Sequence, residues 1–323
     1  MKELKEIRFN ETDVILKDNL VRGSILPEKI AELNRNIIFT GDTIVEGPIF
    51  GNRIEARAGD VDIQGAVFAQ TELYVSSDNT GSVKMRKSVG SANSIVSRAA
   101  GCRPTFYSDV NGKTVTLVNA FVAGSIYADE VILENCVVIG GVFATQDIEL
   151  TNSIIGTFNA PAVRIAGDIY LLLPSAFSIE KLSATPGTRM FNLSLADLGA
   201  LYRGLPQSPD SGKIPMDFNT DEVKSTLTEE DVRRTLRCYT VVGKVLAADL
   251  IDTDKFHNHF LLTAASLGSQ LLKTYDLGPD ASGNPATLSV ERIRDFFFEI
   301  LSGKIEVQNM SGTFELTQLR DSR

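Results

Sequence analysis

Between Gly124 and Ala160 the chain reads GSIYADEVILENCVVIGGVFATQDIELTNSIIGTFNA and states one pattern three times. Gly124, Gly140 and Gly156 fall sixteen residues apart, and each opens the same short phrase: GSIYA, GGVFA, GTFNA. An apolar-x-apolar pair follows each phrase: Val131 and Leu133, Ile148 and Leu150, Val163 and Ile165. A fixed period of this length means that one supersecondary unit is copied and stacked, because a single copy is too short to bury its own apolar face.

The phrase also occurs upstream, at Gly47 (GPIFG), Gly65 (GAVFA) and, degraded, at Gly81 (GSVKM), giving six copies between residues 47 and 165. Strands of three or four residues cannot form a sheet with their sequence neighbours. Stacked on the next copy, each gains backbone partners above and below, and the inward apolar residues line one core. The expected fold is a parallel β-helix (β-solenoid) over residues 37–175, with glycines at corners where the backbone turns sharply. Strand alternation turns one residue of each copy outward. These residues are Phe50, Phe68, Lys84, Tyr127, Phe143 and Asn159, so Phe50, Phe68, Tyr127 and Phe143 are expected as an outer aromatic column and a candidate interface.

The period lapses at about 90–114, where Thr105–Val110 and Lys113–Val118 flank Asn111-Gly112; this reads as a loop and hairpin leaving the coil. Residues 1–36, with PEKIAELN as a helix, are expected to cap the first turn. From residue 176 to 323 the spacing becomes helical: capped apolar-periodic segments follow Ser194, Thr228, Asp254 and Ser289, and KIEVQNMSGTFELTQL reads as a C-terminal β-hairpin. The expected fold class is therefore mixed, a β-solenoid followed by an α-helical domain. Phe296, Phe297 and Phe298 point in three directions on a helix, so that helix must lie against more than one surface. All three are candidate interface residues, and the aromatic column is one candidate for what they meet.

Residues suited to chemistry are sparse. The net charge of −9 supplies no positive field for phosphates, which argues against nucleic-acid binding. The two histidines, His257 and His259, stand about 200° apart on a helix and cannot share a metal. Cys102, Cys136 and Cys238 form no metal or disulfide spacing, which suits a reducing cytoplasm. Lys113-Thr114 and the SGK at 211–213 lack the remaining residues of a phosphate loop. Asp60, Asp62, Asp147 and Asp168 are the candidates for carboxylate pairing across turns, although corner carboxylates are usually solvated. No catalytic, cofactor or metal residue is expected. A basic cluster, Lys84, Arg86, Lys87 and Arg98, is the one feature that suits contact with an anionic membrane surface or an acidic partner; scattered solvated charges account for it as well.

The run GSIYADEVIL…GGVFATQDIEL…GTFNAPAVRIAGDIYL resembles the bactofilins, bacterial polymer-forming cytoskeletal proteins, and AGDVDIQGAVFA is similar to the β-helical C-terminal domain of a septum-site inhibitor. The resemblance implies a right-handed coil that joins end to end without nucleotide, and a homo-oligomer or polymer as the assembled state. The long helical region and the interruption at 90–114 depart from that family. The expected function is a non-enzymatic, self-associating scaffold whose helical domain regulates assembly or recruits a protein partner. A protein-binding solenoid that does not polymerise is the second expectation, and a carbohydrate-active enzyme a distant third.

Overall fold

The structure, a computed structural model, describes residues 1–29, 33–99, 101–172, 178–192, 290–304 and 313–314. The chain winds into a parallel β-solenoid of about nine turns, and each turn contributes to three faces. On face A, Lys2–Leu4, Asn19–Val21, Thr43–Val45, Val61–Ile63, Val83–Met85, Thr105–Phe106 and Phe121–Val122 stack in succession and lead into Val137–Leu171. Face B stacks Ile7–Phe9, Ile25–Pro27, the first part of Ile49–Ala56 and of Val67–Val75, Val89–Ser91, Val110–Asn111 and the first part of Ile126–Glu134. Face C stacks Val14–Leu16, Ile37–Phe39, the second parts of the same two long strands, Ser94–Ser97 and Thr114–Val118.

Lateral pairing explains why three-residue strands persist. Val67 N donates to Ser88 O at 3.1 Å and Ile49 N to Ala66 O at 2.9 Å, so backbone groups find partners one turn away. Alternation sends every second residue inward. Ile25, Ile49, Val67, Val89, Val110, Ile126 and Val142 form one unbroken buried stack on face B, and Ile37, Ile54, Leu73, Ile95, Val115, Val131 and Ile148 form its counterpart on face C. Each such side chain contributes roughly 1.5–3 kcal/mol of burial, set against the conformational entropy of ordering the chain.

Two corner ladders hold the turns at close spacing. At the A–B corner Gly23, Gly47 and Gly65 stack directly; a Cβ on Gly65 would lie 2.2 Å from the carbonyl carbon of Gly47. At the C–A corner Asn119, Asn135 and Asn152 adopt positive φ (54°, 51° and 42°), a region asparagine tolerates because its amide bonds locally. Asn135 Nδ2 donates to Asn119 Oδ1, and Asn152 Oδ1 accepts from Asp168 N at 3.0 Å.

Several expectations need correction. Residues 1–29 do not cap the coil; they form its first turns, with five strands paired in parallel to later ones. Within PEKIAELN, residues 30–32 lie outside the described residues. The segment 90–114 is no excursion: Val89–Ser91, Ser94–Ser97, Thr105–Phe106 and Val110–Asn111 stay in register. Asn111-Gly112 is a corner between faces B and C, not a hairpin turn, because Val110–Asn111 and Thr114–Val118 each pair with the turns above and below. The period is sixteen residues only in the later turns, as in the Asn119–Asn135 contact; Lys84 pairs with Asp62 across twenty-two. The coil also continues past residue 175, through Ser178–Ala184 and Arg189–Asn192.

The α-helical domain is overturned. Among the described residues there is one helix, Val290–Leu301 (α1), and it lies on the coil rather than in a bundle after it. The helices expected after Ser194, Thr228 and Asp254 lie outside the described residues. Of the expected C-terminal hairpin, Thr313–Phe314 is described and pairs antiparallel with Arg189–Asn192; the rest of the hairpin lies outside the described residues.

The glycine ladder yields a direct prediction. Gly65→Ala forces backbone to shift and should cost about 1–3 kcal/mol, read as a lower midpoint in denaturant unfolding. Gly90→Ala, whose nearest atom would be 3.5 Å away, should leave the midpoint unchanged or raise it.

Candidate functional site

Two outer surfaces are candidates. On face B, Phe50 pairs with Phe68, Gly90 follows Phe68, Asn111 follows Gly90, and Tyr127 and Phe143 come next. The expected aromatic column is therefore two pairs with a gap of two turns. Lys84 is not in this column. It belongs to face A, between Asp62 and Thr105, because Gly81 stacks on Gly59 at the other corner and its phrase starts a different strand.

Within each pair the rings shelter one another. Phe50 and Phe68 lie 5.9 Å apart between ring centres, and Tyr127 and Phe143 lie 5.2 Å apart and stacked. Phe68 and Phe143 are half-buried, whereas Phe50 and Tyr127 remain 37% and 38% exposed. Ile132, on face C of the same turn as Tyr127, is 42% exposed. Apolar groups thus meet solvent along two adjoining faces.

Face A behaves differently. Its inward stack runs through Val122, Val138, Ile155 and Leu171, yet the alternate residues Phe121, Val137, Ile154 and Tyr170 are buried too, outside the core. They form an apolar strip on the outer surface, and α1 packs on it against Val137–Leu171. Phe297, Phe298 and Ile300 of α1 are buried. The side chain of Phe296 lies outside the described residues. The helix therefore meets the outer face A, not the aromatic pairs on face B.

Polar contacts fix where α1 sits. Glu291 accepts a hydrogen bond from the Tyr107 hydroxyl and lies 3.4 Å from Lys84 Nζ. Arg294 donates to Thr105 Oγ1 at 3.0 Å. Arg103 lies 3.9 Å from Asp295 and stacks over the Phe298 ring at 4.3 Å. Arg86, which donates two hydrogen bonds to Asp62 (2.9 and 2.8 Å), stacks on Tyr107 at 4.5 Å. Half of the basic cluster seen in the sequence is thus engaged inside the molecule: Lys84 binds Glu291 and Arg86 binds Asp62. Lys87 and Arg98 are exposed.

The electrostatics follow from this packing. Burial alone would raise the Glu291 carboxyl, but the Tyr107 hydroxyl and Lys84 outweigh it and hold it at about 2. Burial, with the hydrogen bond to Glu291, pushes the Tyr107 phenol up. Burial raises Cys136 to about 12 and Cys102 to about 11, so both thiols stay protonated and unreactive at neutral pH.

The carboxylates singled out for chemistry serve the coil. Asp62 is tied to Arg86, Asp147 lies 3.5 Å from Arg164, and Asp60 Oδ1 accepts from Ser82 N at 2.6 Å. No group of three or more His, Cys, Asp or Glu among the described residues is placed to hold a metal. His257, His259 and Cys238 lie outside the described residues. No helix among the described residues is long and apolar enough to cross a membrane.

The face A strip was missed, although it leaves a sequence signal. FVA, CVVI, SIIG and DIYLLL place adjacent apolar residues where a half-buried strand would alternate, the mark of strands covered on both sides. Comparison of the chain with protein-family models, with curated proteins and with solved structures finds no match.

Docking of α1 should depend on pH with a defined sign. Glu291 titrates near 4.3 in an unfolded chain and at about 2 when docked. Its contribution is therefore full above the unfolded value and is lost as pH falls through about 2. Amide exchange of residues 290–301, corrected for intrinsic rate, should show protection falling between about pH 4.5 and 2. Glu291→Gln should weaken protection at neutral pH by about 1–3 kcal/mol and flatten the acid response.

Proposed function

We propose that the chain is a non-enzymatic scaffold that self-associates through the outer surface of its solenoid. The supporting observation is the persistence of exposed apolar groups (Phe50, Tyr127 and Ile132) on a coil whose interior is otherwise fully packed. Exposed apolar groups on two adjoining faces of the coil suit contact with another macromolecule, since solvating them when bare is unfavourable. The pattern likeness to bactofilins supports the same reading at the level of architecture, and fold likeness alone carries no function.

End-to-end joining of coils, as in that family, needs open strand edges. Here Arg189–Asn192, the last strand described on face A, already pairs with Thr313–Phe314. At the other end Lys2–Leu4, Ile7–Phe9 and Val14–Leu16 pair only with the following turn among the described residues, so that end suits joining, and faces B and C suit lateral association. Binding of a different protein by the same aromatic pairs is the second reading, favoured by their modest size and their separation into two pads. Pull-down of one stoichiometric partner by a chain that stays monomeric would select it.

Light scattering and electron microscopy across a concentration series should show mass rising above that of one chain. A strict monomer at every concentration and salt would overturn the scaffold reading. Tyr127→Ser combined with Phe143→Ser should lower the association constant about tenfold or more at an unchanged circular dichroism spectrum, since each buried aromatic carries on the order of 1 kcal/mol or more at an interface.

A further inference from the structure

On face C strand pairing sorts the outward residues into columns, one residue per turn. Val96, Thr116 and Ile132 form the central column, and Ser94, Thr114 and Glu130 the column beside it. On the other side Arg98 follows Ser97, Val118 follows Leu117 and Glu134 follows Leu133. Ser97, Leu117 and Leu133 pair in succession, so Arg98, Val118 and Glu134 form a third column. Arg98, Glu130, Ile132 and Glu134 are exposed, and Val96, Thr116 and Val118 are half-buried.

The strand Thr114–Val118 presents no charge outward, and the turns on either side of it are complementary. One step before it stand Ser94, Val96 and Arg98; one step after it, in the same columns, stand Glu130, Ile132 and Glu134. Arg98 answers Glu134 as cation to anion, Val96 answers Ile132 as apolar to apolar, and Ser94 answers Glu130 as hydroxyl to carboxylate. Two steps of about 4.8 Å separate Arg98 from Glu134 within a chain. Among the described residues neither has a salt bridge, whereas Arg53, Arg57, Arg86 and Arg164 each hold a carboxylate of their own chain.

We propose that face C is an interface between two copies of the chain, related by a two-fold axis along Thr114–Val118, so that the coils run antiparallel and Arg98 of each copy meets Glu134 of the other. This rests on the self-association proposed above and names its surface and arrangement. Rotation about that row carries each residue one step before it onto the residue one step after it in the same column. That is the condition for an isologous contact, in which each residue of a pair meets the other across the axis. Two ion pairs form, and both copies of Val96 and Ile132 leave water.

The charges choose the occupant and the axis. A wholly basic or wholly acidic partner would match one of Arg98 and Glu134 and oppose the other, whereas a second copy matches both. An axis along the coil, which keeps the coils parallel, would set Glu130 against Glu134 of the other copy, and like charges so placed are unfavourable. Two steps out from the proposed axis Glu72 comes opposite Asp147, but each is neutralised in its own chain, by Arg53 at 2.7 Å and by Arg164 at 3.5 Å. Lys113, at the corner end of the axis row, comes opposite its counterpart with Asp129 of both copies one step away. Over five turns the patch measures about 19 Å by 13 Å, well below the roughly 800 Å² per partner of a standard interface. The dimer is therefore weak and forms at high chain concentration.

Sedimentation equilibrium of the full-length chain up to about millimolar, at low salt, tests this. Arg98→Glu alone and Glu134→Arg alone each place like charges at both ion pairs and should raise the dissociation constant about tenfold or more. The double variant R98E/E134R exchanges the two charges and should return to the dissociation constant of the parent. Unchanged circular dichroism and unfolding midpoints would show that the single variants act on association and not on folding. Single variants that associate like the parent, or a double variant no better than the singles, would overturn the proposal. If association then falls with Tyr127→Ser and Phe143→Ser instead, the scaffold reading stands through face B without this interface. A parent chain that stays monomeric at every concentration would overturn both.

Discussion

The strands of the coil make their backbone hydrogen bonds with strands that lie one turn before or after them in the chain, and the rest of the coil follows from that constraint. A segment such as Val61–Ile63 is three residues long and has no stability of its own. Held between Thr43–Val45 and Val83–Met85, its donors and acceptors are met on both sides. The spacing between turns must then stay near 4.8 Å around the whole perimeter, including the corners, where side chains would otherwise prop the turns apart. Glycine stacked on glycine at Gly23, Gly47 and Gly65, and asparagine bonded to asparagine at Asn119 and Asn135, are two solutions to that one requirement.

How much of the coil can be read from sequence depends on which residue types carry the signal. The later turns advertise themselves, because Gly124, Gly140 and Gly156 repeat at a constant sixteen residues and the inward residues alternate cleanly. The earlier turns hide, because insertions at corners vary the turn length while leaving the strands in register. Lys84 pairs with Asp62 across twenty-two residues, and Asn135 reaches Asn119 across sixteen, yet both span one turn. Asn111-Gly112 misleads for a related reason. A tight asparagine-glycine bend suits a hairpin and a solenoid corner equally, and local sequence does not say whether the chain will reverse or advance. Helical periodicity after residue 193 was the least reliable guide to what adjoins the coil, since it describes single segments and not what they pack against.

The outer surface posed a harder problem than the core. Glycine-x-apolar phrases occur at both the A–B and the C–A corners, so aligning them as one series places Lys84 with the aromatics although it lies on another face. Register assigned from strand pairing separates them and leaves Gly90 and Asn111 as the gap between the two aromatic pairs. The face A strip was readable in principle. Phe121-Val122, Val137-Val138 and Ile154-Ile155 break alternation in three consecutive turns, and a strand that is apolar on both sides must be covered on both sides. What the sequence could not reveal was the cover, because the helix comes from more than a hundred residues away.

Charged and apolar contacts together tie that cover to its site. The polar end of α1, Glu291, sits at Lys84, where the outer residues of face A are still charged. Phe297, Phe298 and Ile300 fall six to nine residues further on and are buried, Phe298 beneath Arg103. The contacts of Glu291, Arg294 and Asp295 with Lys84, Tyr107, Thr105 and Arg103 set the position of the helix on the face. A helix seated elsewhere would lose the ion pair and, over the apolar strip, bury the Glu291 carboxylate without a partner, a cost of several kcal/mol. The junction is thus specific as well as adhesive. That combination is what separates a surface evolved to receive one partner from an apolar patch that merely avoids water.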